Sequence, residues 1–455
     1  MLKKDALKGK KISIIGAGVS GRALAELAVK LGGSVFVSDS KSIAAETEEF
    51  FSSLGISWES NGNTARALDA DILVVGSGIP PKNEIVSAAN EAGVPVVGEL
   101  DFVYPYLNGT IIAITGSNGK TTTTSMTAYL LEKAGYNVAP CGNIGNPAAK
   151  IAEGKYDFIV MELSSFQLYW ASSFRCDVAI VCNLAPDHID WHGSYENYVD
   201  AKANIIRCLN DGGAAIFQER DALSLKVSGE MIFPLSWGSA DSHKHGIYMD
   251  EKSGAAWLNN GGCSDVHKLF DFDDVKLLGT HNLENTAMSA AALALYDIKA
   301  GKEDIASYVP PKHRCAFAGE ANSVKFVDDS KGTNVAATIT AMSALPGTKV
   351  IILGGQGKGE DYAPLAAAVK KYTKSAVIIG SEKEKIAKAL DEAGFEKYVR
   401  AITMEEAVRA AYAAASAGDT VLLSPACTSW DMYPNYGARG DDFCLAARKI
   451  ISEEA

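Results

Sequence analysis

The residues best suited to chemistry lie in one short segment, where an apolar run is followed by a glycine-rich turn and then by Lys120 and Thr121. The apolar run at 111–114 predicts a buried strand, and the spacing of apolar residues after Lys120 predicts an amphipathic helix that ends near Gly135. Backbone N–H groups at such a helix start bind anions, and the lysine adds a positive charge. The segment therefore predicts a nucleotide phosphate site in which the Thr121 hydroxyl binds the accompanying Mg²⁺.

This segment departs at one position from the usual phosphate loop, G-x-x-x-x-G-K-S/T. Thr115 stands where that pattern has its first glycine. A chance glycine turn before a helix is the alternative, but the strand, the turn, the Lys-Thr pair and the helix all agree with a phosphate site. The residues expected to contact the nucleotide are Gly116, Ser117, Asn118, Gly119, Lys120, Thr121 and Thr122.

A second glycine turn lies near the start of the chain, where residues 11–15 predict a strand. The turn at 16–21 has the spacing G-x-G-x-x-G, a helix is predicted at 22–31, and Asp39 follows the next predicted strand, at 34–38. Further strands are predicted at 72–75 and 94–97. This combination is typical of a dinucleotide site, in which the acidic residue accepts a hydrogen bond from a ribose hydroxyl. We predict nucleotide binding at 16–21, and the spacing leaves open which nucleotide it is.

Two side chains that follow predicted strands are further candidates. Glu162 ends the apolar run 158–161, where phosphate-loop domains commonly present an acidic group to Mg²⁺, and a solvated strand-end glutamate is the alternative. His188 follows the strand predicted at 178–182, at the edge where open α/β sheets bind ligands. Both residues therefore suit the same edge as the phosphate loop.

Polar residues on predicted helices are harder to interpret. Lys202 lies between two alanines on a predicted helix, and spacing alone favours a solvated lysine. Asn282 and Asn285 lie three residues apart on one helical face, so they could contact an adenine ring or simply cap and pack.

The last third of the chain carries a second set of candidates. Arg314 follows a Pro-Pro break, and Asp329, Lys331 and Thr333 follow a strand predicted at 324–327. Such residues suit a clamp on phosphate and ribose from another domain, with a polar turn as the alternative. The hydroxyl and aromatic residues after the strand at 420–423 suit a small-ligand pocket. Cys427 lies among them, and we interpret it as a packing residue because no activating histidine can be assigned.

Composition narrows the function classes. The chain has 455 residues, 47% hydrophobic and 22% charged, with a net charge of −12 and no block of basic residues, which disfavours nucleic acid or an anionic membrane as partner. The eight cysteines form no C-x-x-C pair, and reduced buried thiols are expected. No signal peptide and no apolar run of about 20 residues is evident, so we expect a cytoplasmic protein without membrane insertion.

Taken together, eight segments carry a resemblance to a known family. In chain order they lie at 115–122, 162–168, 185–188, 198–202, 281–285, 313–314, 329–334 and 424–427. They resemble the Mur ligases, the ATP-dependent amino-acid ligases of peptidoglycan precursor synthesis, and the resemblance covers nearly the whole chain. Within that family, the segments at 162–168 and 424–429 look like the branch that adds D-glutamate.

The resemblance implies an α/β fold of three domains. A Rossmann-like domain at 1–98 would bind the uridine nucleotide of the substrate, so that the first glycine turn holds UDP instead of a dinucleotide. A central phosphate-loop ATPase domain would span 99–310. A C-terminal Rossmann-like domain at 311–455 would bind the amino acid and close over ATP.

It also implies the ligands, namely ATP, two Mg²⁺ ions, UDP-N-acetylmuramoyl-L-alanine and D-glutamate, in an enzyme that we expect to act as a monomer. Lys202 would be carbamylated, which turns a cation into an anion that binds Mg²⁺. The implied catalytic residues are Lys120, Glu162, His188 and Lys202, and the implied metal ligands are Thr121, Glu162, His188 and Lys202.

Other residues are assigned by the same resemblance. Those implied for ATP, besides the phosphate loop, are Asn285, Arg314 and Asp329. Those implied for the UDP-substrate are Val19, Ser20, Asp39, Ser40, Gly78, Asn143, Gln167 and His188. Those implied for D-glutamate are Lys331, Thr333, Lys358, Ser429, Trp430 and Tyr436. Trp430 and Tyr436 stand where Leu/Phe-like and Phe residues are expected, and Gly76 stands where relatives often have a serine.

Three alternatives have different sequence features in their favour. An NAD-dependent oxidoreductase would account for the first glycine turn and Asp39 but leaves Lys120 and Glu162 without a role. A non-enzymatic or mechanical phosphate-loop NTPase would account for the second turn alone. Another amino-acid ligase of the same family, which adds a different residue or uses folate, would share nearly all of these motifs.

Overall fold

The computed structural model describes residues 7–143, 145–227, 231–239, 245–261, 266–277 and 279–454. The chain divides into two compact units. The first comprises Met1–Leu184, Val199–Val275 and Glu284–Tyr308, and the second comprises Ala185–Tyr198, Lys276–Leu283 and Val309–Ala455. Two of the three β-sheets belong to the first unit, and the third sheet belongs to the second.

The first sheet has five parallel strands in the order β3-β2-β1-β4-β5. The strands are β1 Lys11–Ile15, β2 Ser34–Ser38, β3 Ser57–Glu59, β4 Ile72–Val75 and β5 Val96–Gly98. The helices between them are α1 Val19–Lys30, α2 Ala45–Ser53 and α3 Glu84–Glu91. Strand order reverses at β1, and open α/β sheets bind ligands beside such a reversal, at the carboxyl ends of the strands.

Two predictions for this sheet need correction in detail. The first helix was expected to start at Arg22, but it starts at Val19, so Gly21 lies inside its first turn. The strand predicted at 94–97 is observed at Val96–Gly98, at the edge of the sheet and directly after Pro95. Proline has no backbone N–H to donate to a neighbouring strand, so it is expected before a strand or in an edge strand. The short strand β3 carries too few apolar residues to be recognised from its sequence.

The second sheet has nine strands among the described residues, in the order β14-β13-β12-β11-β10-β9-β6-β8-β7. The strands are β6 Thr110–Thr115, β7 Val138–Gly142, β8 Phe158–Glu162, β9 Cys176–Val181, β10 Leu209–Gln218, β11 Ile232–Trp237, β12 Gly246–Asp250, β13 Ala255–Asn259 and β14 Val266–Asp271. β6, β8 and β9 are parallel neighbours, and most of their residues are apolar and buried. Their carboxyl ends therefore meet at one edge of the sheet.

The helices of this middle region alternate with its strands. They are α4 Glu99–Val103, α5 Lys120–Lys133, α6 Ala148–Ile151, α7 Ser165–Tyr169, α8 Ile189–His192, α9 Tyr195–Arg207, α10 Ala222–Leu225, α11 Thr280–Ala294 and α12 Lys302–Ser307. Residues 214–270 gave no clear strand pattern in the sequence, and β11 to β14 lie there. Part of that stretch, at 228–230, 240–244 and 262–265, lies outside the described residues.

The third sheet has the order β15-β16-β20-β17-β18-β19, with only β15 antiparallel to its neighbour. Its strands are β15 Ala316–Ala321, β16 Val324–Asp328, β17 Lys349–Gly354, β18 Thr373–Ile379, β19 Tyr398–Arg400 and β20 Thr420–Leu423. Its helices are α13 Val335–Ala344, α14 Ala363–Tyr372, α15 Lys383–Glu392, α16 Met404–Ala414 and α17 Tyr436–Glu453. The sequence predicts strands here at 324–327, 349–353, 375–379 and 420–423, and each is confirmed within one or two residues.

The α/β class with three sheets agrees with the prediction. Seven cysteines are free thiols, and the eighth, Cys263, lies outside the described residues. In the part of the chain that the structure describes, no helix has the length and apolar character needed to cross a bilayer.

Candidate active site

The turn between β6 and α5 is shaped by two glycines with positive φ, +149° at Gly116 and +82° at Gly119. A Cβ atom at Gly119 would lie 2.5 Å from Asn285 Oδ1, and one at Gly116 would lie 2.9 Å from the Cβ atom of Cys182. Larger residues would therefore be both strained and in collision. Gly119 is also the N-cap of α5, so the first N–H groups of the helix face the turn without a capping side chain.

Thr115 explains why the loop tolerates a residue other than glycine at its first position. It is fully buried at the end of β6, without a positive φ, and its hydroxyl donates to the Leu163 carbonyl at 2.8 Å. The side chain thus joins the ends of two adjacent strands. The sequence departs from the usual phosphate loop at a position where this structure has no need of glycine.

Two lysines converge on this turn. The Lys120 ammonium donates to the carbonyls of Gly116 at 2.8 Å and Ser117 at 2.9 Å. The Lys202 ammonium, from α9, donates to the same Gly116 carbonyl at 2.8 Å and to the Thr115 hydroxyl at 3.3 Å. Lys202 is 2% exposed, so the interpretation of it as a solvated helix lysine is wrong.

Two asparagines hold the turn in shape. Asn183, at the end of β9, accepts from Asn118 N at 2.9 Å and donates to the Asn118 carbonyl at 3.0 Å, and its own carbonyl accepts from Ser117 N. Asn285 is buried in α11, and its Oδ1 accepts from the Thr123 hydroxyl at 3.3 Å. Asn183 was missed in the sequence, where its position directly after an apolar strand was the available signal.

Glu162 lies at the same sheet edge, in register with Ile114 of β6. It is 1% exposed, and its Oε1 accepts from Asn143 Nδ2 at 2.9 Å. Burial raises the pKa of the neighbouring Cys182 thiol to about 11, with Lys120, Lys202 and Glu162 all near enough to influence it. Two cations and one carboxylate are thus gathered around the phosphate turn.

This donor set suits Mg²⁺. Carboxylate and hydroxyl oxygens are the ligands it prefers, and at nucleotide sites it takes only one or two from the protein because phosphate and water supply the rest. Glu162 and the nearly buried Thr121 provide that number. The described residues contain no cluster of three or more His, Cys, Asp or Glu side chains arranged for a metal.

The first glycine turn, between β1 and α1, is built differently. A Cβ atom at Gly21 would lie 1.9 Å from the Gly16 carbonyl oxygen, so only glycine fits there. Asp39 reaches back to the turn, where its Oδ2 accepts from Ala17 N at 2.7 Å while its Oδ1 accepts from Lys41 N at 2.8 Å. Val19, Ser40 and Gly78 are exposed around it and Ser20 is half-buried.

Ser20 and Gln167, both expected to contact the UDP-substrate, line the same small pocket. Gln167 is oriented by the N-cap residue of its own helix, because its Oε1 accepts from Ser164 N at 2.9 Å in a capping box that starts α7. Its Nε2 consequently points to Glu99 and donates to Oε1 of that carboxylate. Glu99 is a residue of this pocket that sequence analysis missed.

In the second unit, the residue before His188 is the centre of a buried network. Asp187 accepts from Lys358 Nζ at 2.8 Å and from Asn334 Nδ2 at 3.1 Å. Lys358 also donates to the Thr333 hydroxyl at 3.4 Å. His188 itself has a left-handed backbone, with φ +53°, at the N-cap of α8. Two residues expected on the D-glutamate side, Lys358 and Thr333, are therefore neighbours.

Asp329 and Arg314, both expected to contact ATP, also lie near each other. Burial raises the pKa of Asp329 to about 7, against the opposing effects of the Ser424 hydroxyl and Arg314. Asp329 Oδ2 accepts from that hydroxyl at 2.7 Å. The carboxyl group is thus fixed at the ends of β16 and β20.

The remaining D-glutamate candidates differ in exposure. Lys331 Nζ lies 4.0 Å from the ring centroid of Tyr436, a cation–π distance. Ser429 is 3% exposed, and its Oγ has no hydrogen-bond partner among the described residues, whereas Trp430 is 66% exposed. The pKa of Cys427 is raised to about 12 by burial, which agrees with its interpretation as a packing residue.

One further residue was missed in this unit. Arg439 of α17 is 1% exposed, and its guanidinium donates to the carbonyls of Ser330, Cys427 and Thr428 at 2.8–3.1 Å. It joins the two loops that carry the D-glutamate candidates. Its spacing in the helix gave no signal, because an isolated arginine is usually solvated.

Comparison with known proteins gives a consistent assignment. Residues 11–85 match the MurD N-terminal domain, residues 114–293 the Mur ligase middle domain, and residues 313–427 the glutamate ligase domain of Mur ligases. The chain is 35% identical to the UDP-N-acetylmuramoylalanine–D-glutamate ligase of Thermoanaerobacter pseudethanolicus, over 98% of this chain and 99% of that protein. It is 37% identical to the protein of the same name from Streptococcus thermophilus, over 98% of each.

A solved structure agrees in fold. The MurF ligase of Thermotoga maritima in complex with ADP is 16% identical, with a TM-score of 0.60 over 100% of this chain and 98% of that one. From the three matched domains and the full-length relatives, the chain belongs to the Mur ligase family.

Proposed function

We propose that the chain is an ATP-dependent ligase that joins D-glutamate to UDP-N-acetylmuramoyl-L-alanine in peptidoglycan precursor synthesis. The relatives that carry this substrate pair in their name align with the chain from end to end. The reaction forms an amide and releases ADP and phosphate. We place it in the cytoplasm and expect the monomer to be active.

One observation carries this proposal, namely the convergence of Lys120 and Lys202 on the Gly116 carbonyl in a glycine turn that ends beside Glu162. The alanyl carboxylate must attack the γ-phosphate of ATP, so that one anion approaches another. The Lys120 ammonium group at this turn would lower that repulsion and stabilise the transferring phosphoryl group. Neither an oxidoreductase nor a simple binding protein needs this arrangement.

Side chains of the site would also hold two Mg²⁺ ions. Thr121 and Glu162 would bind one, and His188 with carbamylated Lys202 the other. When bound, the ions neutralise phosphate charge. In the structure, the Lys202 amine donates to the Gly116 carbonyl at 2.8 Å and to the Thr115 hydroxyl at 3.3 Å. A carbamate would replace those donor hydrogens by acceptor oxygens that suit a metal.

The other assigned residues have roles in binding. In the middle region, Asn285 would position the nucleotide, and Asn143 and Gln167 would contact the sugar and pyrophosphate of the substrate. The turn at 16–21 would hold UDP. The second unit would supply Arg314 and Asp329 for ATP, and for D-glutamate it would supply Lys331, Thr333, Lys358, Ser429, Trp430 and Tyr436.

We also propose that these roles divide at the boundaries expected from the sequence, 1–98, 99–310 and 311–455, because each range contains one of the three sheets. The acyl phosphate formed in the middle domain would then be attacked by the D-glutamate amine held by the last.

The test is an assay of ADP release with ATP, Mg²⁺ and UDP-N-acetylmuramoyl-L-alanine, in which D-glutamate, L-glutamate, L-alanine and meso-diaminopimelate are offered in turn. We expect release with D-glutamate that exceeds each of the others by at least about a hundred-fold, since a charged pocket rejects a poorly matched substrate strongly. Release with another amino acid would assign a different member of the family. Release that needs no amino acid or UDP-substrate would indicate a simple NTPase.

A further inference from the structure

Two loops of the second unit carry expected D-glutamate residues, and two hydrogen bonds join these loops. Lys358 Nζ donates to the Thr333 hydroxyl at 3.4 Å. Two residues further along each loop, Val335 N donates to Glu360 Oε2 at 3.1 Å. Thr333 and Lys358 were assigned to D-glutamate by the family resemblance, whereas Glu360 was assigned no role. This carboxylate therefore lies beside the expected amino-acid site, on the same pair of loops.

The hydrogen bond from Val335 occupies only one of the two oxygens of Glu360. Its Oε1 has no hydrogen-bond partner among the described residues. The side chain is half-buried, so this oxygen is not sealed inside the core. A carboxylate oxygen in this position is an acceptor for a donor group of a ligand.

The charges around Glu360 are unbalanced. Asp187 and Asp190 both act on it as like charges, and Lys358 opposes them. The Lys358 ammonium group is already paired with Asp187 Oδ1 at 2.8 Å, and both of these side chains are 7% exposed. Burial, followed by the charge of Asp187, raises the pKa of Glu360 to about 7. A carboxyl group with such a pKa is suited to accept and release a proton at neutral pH.

The proposed reaction requires a proton acceptor at the amino-acid site. Free D-glutamate carries an ammonium group, which has no lone pair and cannot attack the acyl phosphate. As the amide forms, this group loses two protons. One can leave with the phosphate, and the other needs an acceptor. The lysines expected at the site, Lys331 and Lys358, suit the carboxylates of D-glutamate but are donors only.

We propose that Glu360 is the general base of the ligation step, which binds the ammonium group of D-glutamate through Oε1 and accepts one of its protons. The inference rests on the proposed function and adds a catalytic residue to it. The nitrogen lone pair released in this way forms the C–N bond to the alanyl carbonyl carbon, and the C–O bond to the phosphate breaks. The second proton passes from the nitrogen to the departing phosphate, and Glu360 afterwards releases its proton to water.

The substitution Glu360→Gln tests this role, because glutamine keeps an acceptor for Val335 N and loses the ability to take up a proton. We expect the kcat with D-glutamate at neutral pH to fall by about a hundred-fold, as for the loss of a general base. Only the carboxylate form accepts a proton, so the wild-type kcat/KM for D-glutamate should rise with pH through an inflection near 7. The variant should lack that inflection.

The matched control is Asp361→Asn. Asp361 is the exposed neighbour of Glu360, and its Oδ1 accepts from Ala363 N, a hydrogen bond that asparagine can keep. This variant should retain the wild-type kcat and the inflection in its pH profile.

Hydroxylamine separates the ligation step from acyl phosphate formation. It is largely unprotonated at neutral pH and converts an acyl phosphate to a hydroxamate without a base, so Glu360→Gln should form hydroxamate at the wild-type rate. The inference would be overturned if the variant kept wild-type ligation with the pH inflection, or if ligation and hydroxamate formation fell equally. Wild-type protein that forms neither the amide nor the hydroxamate would instead overturn the proposed function.

Discussion

The glycine turns after β1 and after β6 share a strand, a turn and a helix, yet they carry opposite charges. The first is held by a carboxylate, since Asp39 accepts from Ala17 N inside the turn. The second is approached by two ammonium groups, both bonded to the Gly116 carbonyl. The backbone motif therefore indicates where a nucleotide binds. The charges around it indicate whether the nucleotide is only held or also reacts.

The two turns also differ in what fixes their shape. In the first, a Cβ atom at Gly21 would meet the backbone oxygen of Gly16 at 1.9 Å. In the second, a Cβ atom at Gly119 would meet the side chain of Asn285 at 2.5 Å. The first turn is thus closed by its own backbone, whereas the second is closed by a side chain from another element. Substitutions at the two turns should therefore impair different properties of the protein.

The largest effect is expected for Lys120→Ala. Turnover should fall by about a thousand-fold or more, because the transferring phosphoryl group loses a preorganised positive charge. Affinity for the UDP-substrate should stay unchanged. Steady-state kinetics of ADP release, with calorimetry of UDP-substrate binding, separate the two effects. Lys133→Ala, at the exposed far end of the same helix, is the control, and it should behave as wild type.

Lys202→Ala should reduce turnover by at least about a hundred-fold and leave the fold intact, because it removes a charged group beside the phosphate turn. If the proposed carbamate exists, wild-type protein in ¹³C-bicarbonate should give a carbamate NMR signal that the variant lacks. Full activity in the variant would remove Lys202 from the mechanism. A missing carbamate signal together with lost activity would assign the role to the ammonium group instead.

Much of the fold was predictable from the sequence where strands are buried on both faces. β6, β8, β9 and β17 are continuous apolar runs, and each was predicted within one or two residues of its observed bounds. Strands at sheet edges, such as β3 and β19, have three residues and exposed side chains, so their sequences carry no comparable pattern. A pattern of apolar residues in the sequence reflects burial, and the side chains of these edge strands are less buried.

The candidate site was predictable where glycines and a strand end coincide, as at 116–122. Lys202 could be singled out only through the family resemblance, because a lysine on a helix is usually solvated and its burial depends on α9 packing against β6. Glu99 and Asn183 act through tertiary contacts with residues 68 and 65 positions away. The spacing of neighbouring residues in the sequence does not predict contacts over such sequence separations.

Gly21→Ala tests the first turn. The added methyl group collides with backbone, so the loop or α1 must shift, at about 1–3 kcal/mol of stability. We expect UDP-substrate affinity to fall about ten-fold or more by calorimetry, with the KM for ATP unchanged. Gly18→Ala is the matched control, because nothing lies within 4 Å of its Cβ position and its φ is that of an ordinary residue. Equal losses in both variants would contradict the backbone-closure argument.

The smallest effect is expected for Asp39→Asn. Both carboxylate oxygens accept backbone N–H groups, so the amide must turn its NH₂ group towards one of those donors. The lost hydrogen bond should weaken UDP-substrate affinity by about five- to ten-fold, measured by calorimetry, and leave the kcat at saturating substrate unchanged. Asp69→Asn, an exposed residue paired with Lys11 on the same sheet, should change neither quantity. A fall in kcat would mean that the first turn takes part in the chemistry, and the contrast between a holding turn and a reacting turn would then be wrong.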